Sequence, residues 1–486
     1  MYTKETQEII ESLGSFAPEL VLTFGLLIVI VADLILPKAR RFGFFVSYVT
    51  IGVAWFLTFN GFYEENNFLF FNMLVHDPLT QFLSLIVLGS SLLITWVASY
   101  SVHKRSGEFL ALLLLATIGM QIMVQSMHLI VFVIALEILS IASYVLAGFH
   151  KYNRNSSEAS LKYVVYGSVA SSLMIYGISF MFGLTGSFNL VQIAEKLSQA
   201  PVYELTLYFA FILILAGIAF KIALAPFHFW CPDVYEGAPT IATAFYSVGP
   251  KAAAFCFLMR WVFHAMDFDL PRLNLRLILE VMAILSMTIG NLSAIRQSNI
   301  KRMLAYSSIA HAGYMLMGLS VLNPESVQAV LIYFVIYLLM NLGAFFVVDV
   351  IEQKTGGVDI HFYKGLVYRN PFLSILLAVF LISLAGLPPM AGFIGKFYLF
   401  FAVLKAKAYY LALIGGINSV IALYYYINVA RMMILEKAEE HSPVAVESSR
   451  SFLILGLAIP TIILGIFFQP LFDIAHQLML NFLSTF

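Results

Sequence analysis

Fourteen apolar stretches, each of about twenty residues, follow one another along this chain of 486 residues. A stretch of that length crosses the hydrocarbon core of a bilayer as one helix, which satisfies all of its backbone hydrogen bonds internally. The stretches start near Pro18, Phe42, Pro78, Glu108, Met127, Ala159, Leu205, Ile241, Leu275, Met303, Ser326, Pro371, Ala408 and Phe452. The sequence therefore predicts an all-α polytopic membrane protein with about 14 transmembrane helices.

Composition excludes several other classes of protein. Hydrophobic residues make up 61% of the chain and charged residues only 11%, which a water-soluble domain of this length would not tolerate. The 27 basic and 27 acidic residues balance, so no overall field points to nucleic acid. Two cysteines, Cys231 and Cys256, are too few to hold an iron-sulfur cluster or a disulfide framework.

The distribution of basic residues between loops predicts an orientation. With the N-terminus outside, the inner loops carry 15 basic residues, Lys301 and Arg450 among them, and the outer loops carry six. Positive charge favours the cytoplasmic side, so both termini are expected on the periplasmic side. Three basic residues near the ends of spans are expected to reach water by snorkelling: Lys162, Arg260 and Arg431.

Four charged residues fall deeper inside apolar stretches: Glu137, Lys221, Lys251 and Lys396. Each central charge costs about 2.5–3.5 kcal/mol on insertion scales unless it is paired or faces water. These four residues are therefore candidates for a functional site in the membrane interior.

Prolines interrupt two of the predicted spans. Span seven contains "LAGIAFKIALAPFHFW", and span twelve contains "LAGLPPMAGFIGKFYLF". As a straight helix, the 34 residues from Pro371 to Leu404 would extend about 50 Å, well beyond a hydrocarbon core of about 30 Å. Both spans are expected to be broken, and irregular backbone at that depth is tolerated only inside protein or beside a wet cavity.

The two interrupted spans resemble each other, and they lie five spans apart, as spans seven and twelve. An odd number of crossings reverses direction, which is typical of an inverted repeat. We predict N-terminal helices 1–3 in residues 1–107, a first five-helix repeat in 108–266, a second, inverted repeat in 267–435, and a last helix in 436–486. Chance recurrence of Gly and Pro in a glycine-rich membrane protein is the alternative.

The segment from Leu190 to Gln199 looks amphipathic and is expected at the membrane interface.

Four motifs carry a resemblance to a known family. The stretches "KIALAPFHFWCPDVYEGAPT", "IKRMLAYSSIAHAGYMLMG", "LAGLPPMAGFIGKFYLF" and "GGINSVIALYYYINVARMM" resemble the antiporter-like subunits of respiratory complex I, the proton-translocating NADH-quinone oxidoreductase. The resemblance covers nearly the whole chain. It implies a membrane subunit that moves protons while quinone is reduced elsewhere in the complex.

The resemblance also implies roles for particular residues. Glu137 and Lys221 match a buried pair in which the acid modulates the proton affinity of the lysine, and Lys251 and Lys396 match further lysines of the proton path. Weaker matches to the same path are His228, His311 and Lys162. Burial makes an ammonium easier to deprotonate and a nearby carboxylate opposes this, so the chemistry agrees with a relay of Lys221, His228, Lys251 and Lys396 linked by water.

No dinucleotide-binding glycine motif, phosphate-binding loop or cysteine cluster occurs in the sequence. We therefore expect no cofactor in this chain, and expect FMN, iron-sulfur clusters and quinone in partner subunits. The expected partners are other membrane-arm subunits, including a neighbouring antiporter-like subunit and small subunits, in a bacterial cytoplasmic membrane. Two alternatives stay open: a subunit of a multisubunit sodium/proton antiporter or membrane-bound hydrogenase, and a scaffold whose buried charges are relics.

Overall fold

A computed structural model describes residues 4–35, 40–63, 67–199, 204–264, 275–437 and 443–483 of the chain. The described chain is almost entirely helical. Its first part contains α1 (Lys4–Ser15), α2 (Ala17–Ile35), α3 (Arg40–Asn60), α4 (Pro78–Ser101), α5 (Ser106–Gln125), α6 (Leu129–Ala147), α7 (Arg154–Thr185), α8 (Leu190–Gln199) and α9 (Glu204–Ile222). A short hairpin of β1 (Asn67–Leu69) and β2 (Leu74–His76) precedes α4, with Asn67 opposite His76.

The second part of the chain continues the helical pattern. It contains α10 (Trp230–Gly237), α11 (Thr240–His264), α12 (Leu275–Ala294), α13 (Ile300–Ser320), α14 (Pro324–Thr355), α15 (Leu366–Arg369), α16 (Pro371–Ala385), α17 (Ala391–Lys405), α18 (Tyr409–Leu435), α19 (Ser448–Ile466) and α20 (Gln469–Leu483). Single 3₁₀ turns occur at Gly61–Tyr63 and Ile360–Tyr363.

Twelve of the described helices are long and apolar enough to cross a membrane. The other two predicted spans correspond to α13, a 21-residue helix with Lys301 and Arg302 near its start, and to the pair α16 and α17. The predicted fold class, a polytopic helical membrane protein of about 14 spans, is confirmed, and the chain is a multi-pass membrane protein. The predicted amphipathic segment forms α8.

Polar residues and prolines set where many helices begin. Asp77, Asn323 and Asn370 each accept a hydrogen bond from a backbone N–H of the first turn, and each is followed by a proline at the first helical position. Such residues satisfy N–H groups that have no partner inside the helix, and proline has no N–H to satisfy. The sequence pattern Asx-Pro therefore marks the starts of α4, α14 and α16.

Both predicted interruptions are present. The α9 helix ends at Ile222 and α10 begins at Trp230, while α16 ends at Ala385 and α17 begins at Ala391. Side chains satisfy the freed backbone groups: the Ala225 N–H donates to Ser286 Oγ at 2.8 Å, and the Gly392 N–H donates to Ser383 Oγ at 3.0 Å. The breaks are thus stable features with internal partners, as membrane depth requires.

The chain falls into two compact units. Unit 1 comprises the described residues of Met1–Ile222, Gly249–Leu275 and Asn481–Phe486, and unit 2 those of Ala223–Val248 and Arg276–Leu480. In unit 1, α9 packs on α7, and α5 packs on α6 and α2; in unit 2, α14 packs against α13, α16, α17 and α19. The units are groups of residues in contact and do not test the four sequence segments, whose boundaries stay a prediction.

One turn occurs twice, once in each unit. The two 32-residue helices α7 and α14 both end at a threonine followed by a left-handed glycine, Gly186 and Gly356. Each glycine leads into an isolated antiparallel bridge to the residue that precedes another helix: Asn189 pairs with His128, and Asp359 pairs with Asn299. The same helix length, cap and bridge at corresponding places are what an internal repeat produces, and they weigh against chance recurrence.

Three basic residues lie deeper than the sequence predicted. Arg260 was expected to snorkel, but its side chain is 1% exposed. Lys301 and Arg450 were counted with the loops, yet they are 3% and 2% exposed. The reason is the presence of acidic partners on neighbouring helices: Lys301 Nζ lies 3.7 Å from Glu352, and Arg450 Nη2 lies 3.0 Å from Asp349. Arg431, which pairs with Glu436, is 56% exposed, as predicted.

Candidate functional site

Lys221 lies on the last turn of α9, immediately before the first break. Its side chain is 1% exposed, and its Nζ donates to Ser140 Oγ on α6 at 3.1 Å. The ammonium also lies 5.6 Å from the ring centroid of Tyr163 on α7, a cation–π contact. The ammonium therefore contacts a hydroxyl group and an aromatic ring, and neither of these groups carries a negative charge.

Glu137 lies on α6, one turn before Ser140. Residues three apart on a helix are neighbours on its surface, so Ser140 brings Lys221 next to the helix face that carries Glu137. The carboxylate accepts a hydrogen bond from Ser171 Oγ on α7 and is half-buried. Lys221 thus contacts α6 one turn away from Glu137, and the described contacts include no direct ion pair between Glu137 and Lys221.

Lys251 lies near the middle of α11 and is fully buried. The residue before it is Pro250, which stands inside the helix. Proline cannot donate a backbone hydrogen bond, so the helical ladder is interrupted beside this lysine as well. Each of the three predicted relay lysines therefore lies close to a proline that disturbs a membrane helix.

Lys396 lies on α17, after the second break, and is 4% exposed. Its Nζ reaches back across the break and donates to the Ala385 carbonyl, the last of α16, at 2.8 Å. It also donates to Ser419 Oγ on α18 at 3.2 Å and lies 4.9 Å from the ring centroid of Tyr314. The final carbonyls of a helix have no partner within it, so the lysine caps the half-helix.

His311 lies on α13 within a group of tyrosines in unit 2. Its Nδ1 is 2.6 Å from the Tyr333 hydroxyl and its Nε2 is 3.1 Å from the Tyr426 hydroxyl. The His311 ring lies 6.1 Å from that of Tyr314, the same tyrosine that faces Lys396. His311 and Lys396 are thus both neighbours of the Tyr314 side chain.

His228 belongs to the first break, two residues before α10. Its side chain is 4% exposed and stacks on Phe229, with ring centroids 4.5 Å apart. Within the described part of the chain, its Nδ1 is buried without a hydrogen-bond partner. The imidazole therefore keeps one nitrogen that protein atoms do not use.

Lys162 lies in the first third of α7. Its Nζ is 2.9 Å from Glu158, and the two side chains are 37% and 52% exposed. An exposed pair four residues apart on a helix contributes little stability and is open to solvent. The position is that of a surface residue near a helix end, and its role in a relay stays a prediction.

A buried ion pair in unit 1 was not predicted. Arg260, two and a half turns after Lys251 on α11, donates to both carboxylate oxygens of Asp77 at 2.9 and 2.7 Å and to Thr80 Oγ1 at 2.6 Å. Asp77 precedes the membrane span of α4. Burial of its carboxyl opposes ionisation, yet the Arg260 guanidinium and the Thr80 N–H hold the pKa of Asp77 below its usual range. This pair fixes the end of α11 to the start of α4.

Arg302 fastens the second half of the first broken helix. Its Nη1 lies 2.7 Å from Asp233 and 2.8 Å from Glu236, both on α10. The neighbouring Lys301 donates to the carbonyl of Ala238, just past the end of α10, at 2.7 Å. An eight-residue helix gains little from its own hydrogen bonds, so these contacts from α13 hold it in place.

The hydroxyl and phenol partners were missed by sequence reasoning. A signal for them was present in two quoted motifs: Ser307, His311 and Tyr314 recur at helical spacing in "SSIAHAGYM", which places them on one face. Ser419 and Tyr426 stand in "NSVIALYYY". No comparable spacing singles out Ser140 or Ser171, because which serine meets the lysine depends on how α6, α7 and α9 pack.

Metal ligation has no candidate in the parts of the chain that the structure describes. No group of three or more His, Cys, Asp or Glu side chains is placed to hold an ion there. Cys231 and Cys256 are both buried free thiols. The chemistry available at the described site is that of ammonium, imidazole, carboxyl and hydroxyl groups, which transfer protons.

Comparison with known proteins gives consistent results. The family profile described as "NADH:quinone oxidoreductase/Mrp antiporter, TM" matches residues 126–422. NADH-quinone oxidoreductase subunit N of Anaeromyxobacter sp. (strain Fw109-5) is 40% identical over 494 residues, which cover 94% of each chain.

Two solved structures are also similar to this chain. A chain of respiratory complex I from Thermus thermophilus with bound aureothin has a TM-score of 0.82 at 29% identity, covering 94% of this chain and 99% of that one. A chain of the Mrp complex from Dietzia sp. DQ12-45-1b has a TM-score of 0.86 at 20% identity, covering 96% and 97%. At that lower identity the likeness concerns the fold alone.

Proposed function

Since this chain belongs to the NADH:quinone oxidoreductase/Mrp antiporter family, we propose that it is a proton-translocating membrane-arm subunit of an NADH-quinone oxidoreductase. The observation that carries the proposal is the burial of three lysines, Lys221, Lys251 and Lys396, each no more than 4% exposed, in helices whose ladders are interrupted. A charged side chain at that depth is expensive in a membrane interior and marks a candidate functional site. Proton storage gives such a charge a use.

In this proposal each unit holds its own proton-binding station. In unit 1, Lys221 binds a proton while Ser140 orients its ammonium, and Glu137 on the same face of α6 stabilises the charged form when it moves closer. In unit 2, Lys396 binds a proton against the Ala385 carbonyl, and Tyr314 is a neighbour of both Lys396 and His311. Lys251 and His228 complete the set, and Lys162 is assigned a peripheral role.

This chain supplies neither electrons nor a redox centre in the proposal. FMN, iron-sulfur clusters and quinone belong to partner subunits, and their chemistry drives the movement of charges here. The partners are other membrane-arm subunits, including a neighbouring antiporter-like subunit and small subunits. The location is a bacterial cytoplasmic membrane, with both termini on the periplasmic side because the basic loops favour the opposite side.

A subunit of a multisubunit sodium/proton antiporter is the second candidate. Its support is the fold shared with the Mrp complex chain at 20% identity. The relative at 40% identity over 94% of both chains is a subunit of a quinone oxidoreductase, which favours the first candidate. Purification in mild detergent separates them, because co-isolation with flavin-containing subunits supports the first and co-isolation with small hydrophobic subunits alone supports the second.

Replacement of Lys221 by methionine tests the transport role. The variant keeps the volume and apolar stem but not the charge, so the complex is expected to assemble and to lose most NADH-driven acidification of inverted membrane vesicles. The matched control is Lys405→Met, which removes a lysine that is 55% exposed and paired with Glu325. Wild-type acidification by an assembled Lys221→Met complex would refute the proposal.

A further inference from the structure

A large cavity in unit 1 lies between two loops that the relay does not use. One loop joins α4 to α5 and the other joins α6 to α7, and together they line a half-open cavity of about 800 Å³. Two spans separate these loops along the chain, so both emerge on the same side of the membrane. The lining includes His103, Lys104, Arg105, His150, Lys151 and Tyr152.

The cavity is basic. Two lysines, one arginine and two histidines line it, and no carboxylate belongs to the lining. Two carboxylates lie beside the first loop: Arg105 Nε is 3.9 Å from Glu108, where both side chains are exposed, and Asp33 of α2 contacts the start of α5 at Gly107. A guanidinium so weakly engaged is free to take a second anionic partner. Lys, Arg and His side chains converging on one space are suited to phosphate oxygens.

The two loops that carry these charges have a defined backbone conformation. Arg105 adopts a left-handed backbone conformation directly before α5, and the Asn153 side chain caps α7. The Asn153 N–H donates to the His150 carbonyl at 2.7 Å, which closes the second loop. Phe149 packs edge-on against Phe109 of α5, with ring centroids 5.3 Å apart. The basic side chains therefore project from fixed backbone positions.

The surroundings of the cavity are those of a lipid surface. Tyr152 is 92% exposed, and an exposed aromatic ring with a polar tip is typical of the membrane interface. Val145 of α6, one turn before the second loop, is 49% exposed, and Leu161 of α7, two turns after that loop, is 65% exposed. A headgroup in the cavity would have apolar side chains available for its acyl chains.

We propose that this cavity binds the phosphate-bearing headgroup of an anionic phospholipid. Basic pockets between membrane helices recognise such headgroups, and cavities of about 300–1,000 Å³ enclose small ligands. Lys104, Arg105 and Lys151 supply the charges, while His103 and His150 add ring N–H groups. The site is independent of the proton-transfer residues, since no residue of the predicted relay lines it.

Photolabelling of the assembled complex tests the proposal. The complex is reconstituted in vesicles that contain a photoreactive phosphatidylglycerol or, in a parallel sample, a photoreactive phosphatidylcholine with the same acyl chains. Peptide mapping is expected to find the phosphatidylglycerol label on segments 101–105 or 149–153 and little phosphatidylcholine label there. Equal labelling by the two lipids, or labelling of neither segment because another subunit covers the cavity, would overturn the proposal.

Charge removal sharpens the test. Near an anionic membrane each basic residue contributes about fivefold in affinity, so the triple variant Lys104→Gln, Arg105→Gln, Lys151→Gln should lower the label on these segments by at least about tenfold. The control variant removes three basic residues that are exposed elsewhere in the chain: Arg296→Gln, Lys354→Gln and Lys437→Gln. Equal loss in both variants would contradict a specific site.

A competition in the wild-type complex decides the source of the phosphate and needs no variant to fold. Unlabelled phosphatidylglycerol, added before irradiation, is expected to prevent labelling, whereas inorganic phosphate leaves the labelling unchanged. If inorganic phosphate prevents labelling as well as the lipid does, the cavity binds a free anion and the assignment to a lipid is wrong.

Discussion

The two broken helices hold their lysines in opposite ways. In unit 1 the lysine precedes the break: Lys221 ends α9 and donates to a serine of another helix. In unit 2 the lysine follows the break: Lys396 lies on α17 and donates to the last carbonyl of α16. Each unit thus combines a proline break with a buried ammonium, but the lysine precedes the break in unit 1 and follows it in unit 2.

The polar surroundings differ accordingly. Lys221 lies beside the face of α6 that carries Glu137, a carboxylate that accepts a hydrogen bond from Ser171. The described partners of Lys396 are the Ala385 carbonyl, the Ser419 hydroxyl and the ring of Tyr314, none of which is charged. In the proposed function, an acid tunes the first lysine, whereas the broken backbone tunes the second. We infer that the two stations respond to different movements, one to a side chain and the other to the geometry of the break.

Arginine substitution at each lysine is expected to have the largest effect. A guanidinium keeps the charge and the hydrogen-bond donors but stays protonated, so Lys396→Arg and Lys221→Arg should each lower NADH-driven proton pumping by about 10²-fold if the residue must release its proton. Vesicle acidification measures the loss, and Lys405→Arg is the exposed control.

The two outcomes separate the stations. Loss of pumping in Lys221→Arg together with normal pumping in Lys396→Arg would mean that Lys396 only caps α16, because arginine can donate to the Ala385 carbonyl as well. Normal pumping in both variants would remove proton release from the mechanism.

Much of this comparison was accessible from the sequence, for physical reasons. Apolar length gave the spans, because a bilayer has a fixed thickness. Prolines gave the two breaks, because proline removes a backbone donor wherever it stands in a helix. Burial of Lys221, Lys251 and Lys396 followed from their distance to the span ends, beyond the reach of a snorkelling side chain.

The contacts of these groups were not accessible in the same way. Arg260 was expected at the surface because it lies near the end of a span, and only the position of Asp77, 183 residues away, explains its burial. The Ser140 contact of Lys221 depends on the rotation of α6 about its axis. Packing between helices distant in sequence decides such contacts, and local pattern does not encode it. Pro250, next to Lys251, is a further sequence signal of an irregular membrane helix.

Neutralising the acid of the first station should have an intermediate effect. Glu137→Gln keeps an acceptor for Ser171 but removes the charge that supports the Lys221 ammonium, so proton pumping is expected to fall about tenfold, which corresponds to about 1.4 kcal/mol of lost interaction. Glu195→Gln is the control, since Glu195 is an exposed carboxylate of α8 and has no part in the proposed relay.

Pumping is compared with NADH oxidation in the same membranes, so that loss of the complex is distinguished from loss of coupling. An assembled Glu137→Gln complex that pumps at the wild-type rate would leave Lys221 without an acidic regulator, and the contrast between the two stations would disappear.

Replacing the glycine at the second break by alanine should have the smallest effect on proton pumping and the most specific one. Gly386 has φ +86°, and a Cβ built there would lie 2.7 Å from Lys396 Cδ and 3.2 Å from its Nζ. Gly356 has a similar conformation, φ +72°, but nothing lies within 4 Å of its Cβ position. Alanine at either site brings about 1–2 kcal/mol of left-handed strain, so both variants should lower the thermal midpoint of the complex slightly. Only Gly386→Ala should also reduce proton pumping, by severalfold, because Lys396 must move away from the Ala385 carbonyl. Equal pumping in the two variants would show that the break does not tune Lys396 through this contact.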